Sequence, residues 1–519
     1  MRFPFFALIA MLGYWTLTAL QMDRFADDPG VGWHLMTGEM IMEDRAVPRF
    51  DPFLATPTPR PWIADQWLSD LCLAALNAVG GGSHGMPLLY GTLTAIFLLT
   101  FMGTTFAAAL RYSQSPLAAG AAAFLALKLS SIHFILRPVI FGFFLYAIMM
   151  YLLWEIVRKV RAGEALPFSL TAPLLLITLL WVNLHPSFPL GIIVLALAIV
   201  GLLYDIALIE RKPLRIGHFI HLGALLLCMV AATLINPYGV DLLRQVFGLV
   251  GSDFFMNLNS EWKAIDPRSG EGQLFFTVIV IIILGAFLAP NRVRSIRFPE
   301  LFILGFLAIS TLKSVRFLPF FAIAAAPLIA QSIRSVLTLE LLMRLPAYRR
   351  LGAITQSFDA RQRGTGIPYT IILTLLAALP VVMGYRTGAI PGYGGAIGIS
   401  DADYPFDGVT ALKTLITDKK LEPPVVVAAS PDWGGFITLT GKNVLKPVID
   451  DRNSLLGEAP YRDYLKSTAI GGDIHGYMAR VGAQFLLVRS EDPLAIYLRD
   501  TKRLNEAFRG PVSSIFQIP

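Results

Sequence analysis

Residues 138–161 read PVIFGFFLYAIMMYLLWEIVRKVR. An almost unbroken apolar run, of the length a bilayer needs (about 20 residues), ends on Arg158, Lys159 and Arg161. Lipid solvates such a run, and cations at its end hold a cytoplasmic boundary. The same pattern recurs on both sides of it. Spans are expected at roughly 4–20, 86–110, 117–135, 138–157, 168–184, 187–209, 217–235, 273–290, 298–313, 316–333 and 368–386. That makes about eleven.

Composition agrees. Hydrophobic residues make up 55% of the 519 and charged residues 15%, with a mean hydropathy of +0.61. A soluble domain carries about 25% charged residues, and fewer cannot coat a globular surface. The net charge of +7 and pI near 9.3 fit basic cytoplasmic loops. Basic runs with interleaved aromatics are missing, so nucleic acid is not an expected partner. Cys72 and Cys228 lie far apart in apolar surroundings, which implies neither a disulfide framework nor a zinc site. Arg2 and the apolar run after it lack a small-x-small cleavage site, so a retained first span is expected, not a cleaved leader.

Orientation follows from the cations. With the N-terminus cytoplasmic, the inside loops hold Arg111; Arg158, Lys159 and Arg161; Arg211, Lys212 and Arg215; and Arg292, Arg294 and Arg297. The long segment with Arg334, Arg344, Arg349, Arg350, Arg361 and Arg363 is inside too. The first outside loop, about 21–85, is instead acidic, with Asp23, Asp27, Asp28, Asp51, Asp65 and Asp70 among its residues. Short interfacial helices are expected in it near 34–44 and 62–79. An odd span count puts the C-terminal region outside. There the membrane signal stops at about 390, 392–398 reads as a linker, and 400–519 reads as a small α/β domain. Its strands are expected at 425–429, 447–450 and 484–488. The overall expectation is a mostly α-helical polytopic membrane protein with a C-terminal extracytoplasmic α/β domain.

Polar residues collect at the outside ends of the spans. His133 and Arg137 lie between spans three and four, Asn183 and His185 after span five, Glu261 in a later loop, and Lys313 and Arg316 between spans nine and ten. Asp27, Asp28, His34 and Asp51 come from the first loop, and Lys128 lies within span three. Ionisable groups near membrane depth are costly, so each is a functional candidate. Cations there suit a phosphate head. A carboxylate beside them suits proton abstraction from an incoming hydroxyl. Together they suit group transfer from a lipid-linked donor.

The first loop reads DDPGVGWHLMTGEMIMEDRAVPRFDPF at 27–53 and PWIADQWLSD at 61–70. This resembles the first periplasmic loop of bacterial integral-membrane proteins with the GT-C glycosyltransferase fold, relatives of the polyprenyl- and dolichyl-phosphate-mannose mannosyltransferases. RPVIF at 137–141, WVNLHPSF at 181–188, NPYG at 236–239, EW at 261–262 and VRFLPFF at 315–321 also fit, as do DWGGF at 432–436 and PVIDDR at 447–452. The resemblance spans nearly the whole chain and is specific for fold and subfamily. It implies a bacterial inner-membrane enzyme that takes a sugar from a polyprenyl-phosphate carrier and passes it, with inversion, to a hydroxyl of a glycan, lipid or protein acceptor. It implies Asp28 as first choice for the base, Asp27 as second, and a role for His34. Relatives often show Asp-Pro-Asp before the Trp-His, where this chain has Asp28-Pro29-Gly30. That departure leaves a divalent metal open: Asp27, Asp28 and Asp51 supply oxygen ligands only if the loop folds back.

Each candidate has a structural reading beside the functional one. Asp28 before Pro29 starts a turn; His34 buttresses its helix; His185 before Pro186 ends one. Arg137, Arg316 and Lys128 snorkel, and Glu261 pairs with a nearby arginine. Asp450, Asp451 and Arg452 read as a strand-end ion pair. Two other functions stay open: a catalytically silent GT-C-like scaffold of an envelope polysaccharide system, favoured by Gly30, and a transporter, disfavoured by apolar cytoplasmic halves and the lack of an internal repeat.

Overall fold

In a computed structural model, residues 26, 28–56, 58–81, 85–250, 252–258, 260–288, 297–338, 344–362 and 399–518 are described. The expected first and last spans, the linker at 392–398 and Asp27 lie outside the described residues. Within them, six helices are long and apolar enough to cross a membrane: Leu88–Ser113, Pro116–His133, Val139–Ala162, Pro189–Ile209, Gly270–Leu288 and Val315–Leu337. Phe168–Leu184 and Ile216–Ala232 are shorter apolar helices, and Phe298–Lys313 completes the set. Each expected span between 86 and 333 falls on one of these. The chain is a mostly helical, multi-pass membrane protein.

Side-chain size decides how the helices meet. Ala118, Ala119, Ala122, Ala123 and Ala126 line one face of the Pro116–Ser130 helix, all fully buried. Leu318–Leu337 answers with Ala322, Ala324, Ala325 and Ala326. Small residues let the two backbones approach closely, which is how helices associate in lipid without a hydrophobic driving force. Leu227, Ile220 and Phe287 point outward, the last 84% exposed, as lipid-facing residues do.

The 24-residue helix Val139–Ala162 begins beside Arg137 and ends on Lys159 and Arg161. At 1.5 Å per residue those ends stand roughly 36 Å apart. At the far end the arginines find carboxylates on other helices: Arg111 with Glu155 at 2.7 Å, Arg161 with Glu300 at 2.6 Å, and Arg297 with Glu210 at 2.5 Å. Arg137 marks the other end, which carries the first-loop helices and the C-terminal sheet.

Two helices of the first loop cover that end: α1 (Val31–Asp44) and α2 (Trp67–Gly80). They start three residues before and five after the expected 34 and 62. A Cβ at Gly38 would lie 2.1 Å from the Asp70 carbonyl oxygen, so only glycine lets α1 and α2 pack this closely. Above them stands a five-stranded sheet ordered β2-β1-β3-β5-β4. β1 (Val425–Ala429) pairs in parallel with β2 (Leu445–Pro447) and β3 (Phe485–Arg489). β5 (Ser513–Gln517) runs antiparallel to β3 and to β4 (Asn505–Arg509). β1 is as expected. β2 ends earlier than 447–450, because 448–452 turns down toward α1. β4 and β5 were not expected; β4 is an exposed edge with no apolar run to mark it.

The two parts meet at a glycine contact. A Cβ at Gly32 of α1 would fall 1.8 Å from the Gly435 carbonyl oxygen, and one at Gly435 would fall 2.2 Å from that of Pro29. Arg452 reinforces this junction from within. It is buried, bonds Asp450 at 2.6 Å and Asp51 at 2.8 Å, and lies 4.7 Å over the Trp62 ring.

Candidate active site

A cavity of about 690 Å³ lies under this junction. Its walls come from eight stretches of chain: Asp28 to His34; Trp62 to Gln66; Ile132 to Phe143; His185 and Pro186; Leu258 to Trp262; Arg316; Asp432; and Asp451 to Ser454. Residues up to 426 positions apart thus share one site only because α1 and the Pro431–Gly441 helix dock through glycines.

Asp28 forms the floor, and both of its oxygens are engaged. Oδ1 accepts from the Gly30 N–H at 2.8 Å, a turn of the kind Asp-Pro-Gly sequences favour. Oδ2 faces the Arg137 guanidinium. Burial pushes the carboxyl up, while Arg137 pulls it down. The turn and the site are therefore one feature. The glycine at 30 has a steric cause as well: a Cβ there would stand 2.9 Å from Asp28 Oδ1 and 3.2 Å from both His34 Cδ2 and Trp33 Nε1. A side chain at position 30 would crowd these three groups.

His34 stacks on Trp33, ring centroids 3.6 Å apart, and its Nδ1 lies 2.5 Å from Asp70 Oδ1. Asp70 thereby fixes the ring and leaves its other edge to the cavity. Burial pulls His34 down to about 3, so the imidazole is neutral at physiological pH. His185 is also held neutral by burial, with Arg316 adding to the effect. Its Nδ1 accepts the Ser187 N–H at 3.2 Å, which leaves the proton on Nε2.

Cations form the opposite wall. Arg137 bridges Asp28 and Glu261, reaching Glu261 Oε2 at 2.5 Å. Arg316 lies 4.9 Å over the Trp262 ring, and among the described residues its guanidinium has no hydrogen-bond or ion-pair partner. His133 Nε2 lies 3.3 Å from the Val315 carbonyl oxygen, beside Arg316. The C-terminal part adds carboxyls from above. Asp451 Oδ1 accepts from Trp33 Nε1 at 2.8 Å. Burial, with Asp28 and Asp450 adding, raises Asp451 to about 7. Asp65, on the first loop, rises to about 6 for the same first cause.

The expected residues divide. Asp28, His34, His133, Arg137, His185, Glu261 and Arg316 line the cavity. Asp51 does not; it caps Leu54 and anchors Arg452. Asn183 does not either: its amide bonds Trp67, Leu179 and Ile235. Lys128 and Lys313 lie outside the lining, Lys313 exposed at its helix end. Asp65, Asp432 and Asp451 are additions to the lining, and Asp70 stands behind it on His34. Arg452 pairs with Asp450, as the sequence suggests, while its neighbour Asp451 faces the cavity; PVIDDR alone does not show which carboxylate turns which way.

The described residues do not suit a divalent metal. No three or more His, Cys, Asp or Glu side chains among them are grouped to hold one, and Asp28 is engaged by a backbone N–H and a guanidinium. What they offer is an anion site, with Arg137, Arg316 and the His185 Nε2–H as donors, facing a set of buried carboxyls.

No family model and no curated protein matches the chain. Among solved structures it is similar to the oligosaccharyltransferase AglB from Archaeoglobus fulgidus in complex with an inhibitory peptide and a dolichol-phosphate. Identity is 15%, the TM-score is 0.58, and the match covers 94% of this chain and 69% of that one. The apo oligosaccharyltransferase from Archaeoglobus fulgidus matches at TM-score 0.56, with the same identity and coverage. ArnT from Cupriavidus metallidurans, in the apo state, matches at 14% identity and TM-score 0.47, over 99% of this chain and 97% of that one. Likeness at this identity is one of fold: the chain has the GT-C fold of integral-membrane glycosyltransferases.

Proposed function

We propose that this protein moves a sugar from a polyprenyl-phosphate carrier to an acceptor hydroxyl at the cavity. The observation that carries this reading is Arg316, a cavity cation with no anionic partner among the described residues, set beside Arg137 at the membrane end of the site. A half-buried cation without an anion beside it is a ready position for an anionic ligand. A phosphate head at the interface is the anion such a position meets. The dolichol-phosphate bound in the AglB complex supports the same class of ligand.

The reaction follows from the two walls. The acceptor oxygen attacks the anomeric carbon as its proton passes to Asp28. The bond from that carbon to the phosphate oxygen breaks, and its electron pair leaves on the polyprenyl phosphate. Charge grows on the leaving phosphate, where Arg137 and Arg316 stabilise it most. His185 Nε2–H offers a neutral donor that fixes orientation, while His133 is tied to the Val315 carbonyl oxygen. Burial strengthens Asp28 as a base, and in-line attack from its side inverts the anomeric centre. The basic end, with Arg158, Lys159 and Arg161, is read as cytoplasmic. The cavity then faces away from nucleotide sugars, which makes a lipid-linked donor the economical source.

Replacing Asp28 with Asn is expected to lower sugar transfer in membranes by about 10²–10⁴-fold while the lipid phosphate still binds. Transfer at the wild-type rate by Asp28→Asn, alone and combined with Asp27→Asn, would remove this base assignment.

A further inference from the structure

One carboxylate has no part in that reaction. Glu261 points its Oε2 at Arg137, 2.5 Å away, within the electrostatic reach of His133 and Arg316. Burial raises its carboxyl, yet Arg137, His133 and Arg316 together hold it at about 2. One guanidinium bonds this carboxylate while the charge of Arg316 acts on it from farther away, an arrangement that a phosphate with more acceptor oxygens would complete, since both anions present the same acceptor oxygens to a guanidinium.

The two carboxylates on Arg137 differ in freedom. Asp28 is 2% exposed in its side chain and tied to the Gly30 N–H. The Glu261 side chain is 27% exposed and accepts nothing but Arg137 among the described residues. Its main chain is fixed: Ser314 Oγ donates to the Glu261 carbonyl at 3.3 Å and the Val315 N–H to the Lys263 carbonyl at 2.9 Å. The side chain can therefore swing out while the loop that carries it stays.

We propose that Glu261 is a stand-in for the donor phosphate, holding Arg137 in place beside Arg316 until the lipid phosphate displaces it. The inference rests on the donor reading above. Displacement withdraws Arg137 from Asp28 and frees the base only once the donor is bound. After transfer, the returning carboxylate competes with the polyprenyl phosphate product and helps to expel it.

The test is titration of the full chain in detergent with undecaprenyl phosphate, read by native mass spectrometry. Glu261→Gln and Glu261→Ala are each expected to bind on the order of tenfold more tightly than the wild type, from the loss of one charge-assisted competitor. Arg137→Ala is expected to bind more weakly. Inorganic phosphate, added as competitor, separates headgroup from tail: it should displace the lipid from Glu261→Gln at lower concentration than from the wild type. Equal or weaker lipid binding by both Glu261 variants, with monodisperse elution intact, overturns the proposal, as does a gain that inorganic phosphate leaves untouched. Binding that depends on Arg137 but ignores Glu261 sinks this inference alone. No binding by the wild type sinks the donor reading with it.

Discussion

Asp451 is the residue whose titration the molecule should reveal. Its carboxyl is raised to about 7 by burial, with Asp28 and Asp450 adding, against about 3.9 in an unfolded chain. A folded state that binds the proton more tightly is favoured at low pH. Its contribution is full below the unfolded value and lost as pH rises from about 4 through about 7. The wild type should therefore melt at a lower temperature at pH 7.5 than at pH 5. Asp451→Asn should narrow that gap mainly by raising the pH 7.5 value, as thermal unfolding in detergent would show. An unchanged gap would mean that Asp451 does not carry the proton. The residue scale is also where sequence helped unevenly. Asp28, His34 and Arg137 announce themselves as ionisable groups next to spans. Asp70 and Asp451 do not, because their roles depend on which neighbour a fold delivers to them, and that neighbour is 36 positions away in one case and 418 in the other.

At the scale of elements, the site depends on how near α1 comes to the Pro431–Gly441 helix. A side chain at Gly32 meets the Gly435 carbonyl oxygen at 1.8 Å, and main-chain atoms cannot turn aside as a side chain does. Gly32→Ala should part the two helices, weaken the Trp33–Asp451 and Arg452–Asp51 bonds, and expose the 448–456 segment. Limited proteolysis is expected to cut there faster in the variant, with the membrane helices intact. A cleavage pattern like that of the wild type would show that the contact yields. Helices were the legible elements: a long apolar run ended by cations fixes a span within a few residues. β4 and β5 were not legible: β4 is a short, exposed edge strand, and β5, though inside the sheet, is five residues long and carries two serines and a glutamine in place of an apolar run. Asn183 shows the reverse error. Its place at a span end suggested a site residue, but its amide ties Trp67 to two backbone carbonyls instead.

At the scale of the whole molecule, the arrangement is polar at both ends for different reasons. The basic end is internally neutralised, each of Arg111, Arg161 and Arg297 meeting a carboxylate. The cavity end keeps Arg316 without one among the described residues. The charge asymmetry of the loops made this division readable from sequence, and the resemblance of the first loop pointed to the GT-C fold. The size of the cavity and the place of Glu261 in it required coordinates, because they arise from eight separate stretches of chain meeting. The claim on which the account turns is that Arg137 and Arg316 hold a lipid phosphate. Native mass spectrometry of the protein purified from its own membranes tests it most directly. The account predicts a co-purified polyprenyl-phosphate species on the wild type and its loss from the Arg137→Ala, Arg316→Ala double variant. A wild type free of any such lipid, or a double variant that retains it fully, would contradict the account.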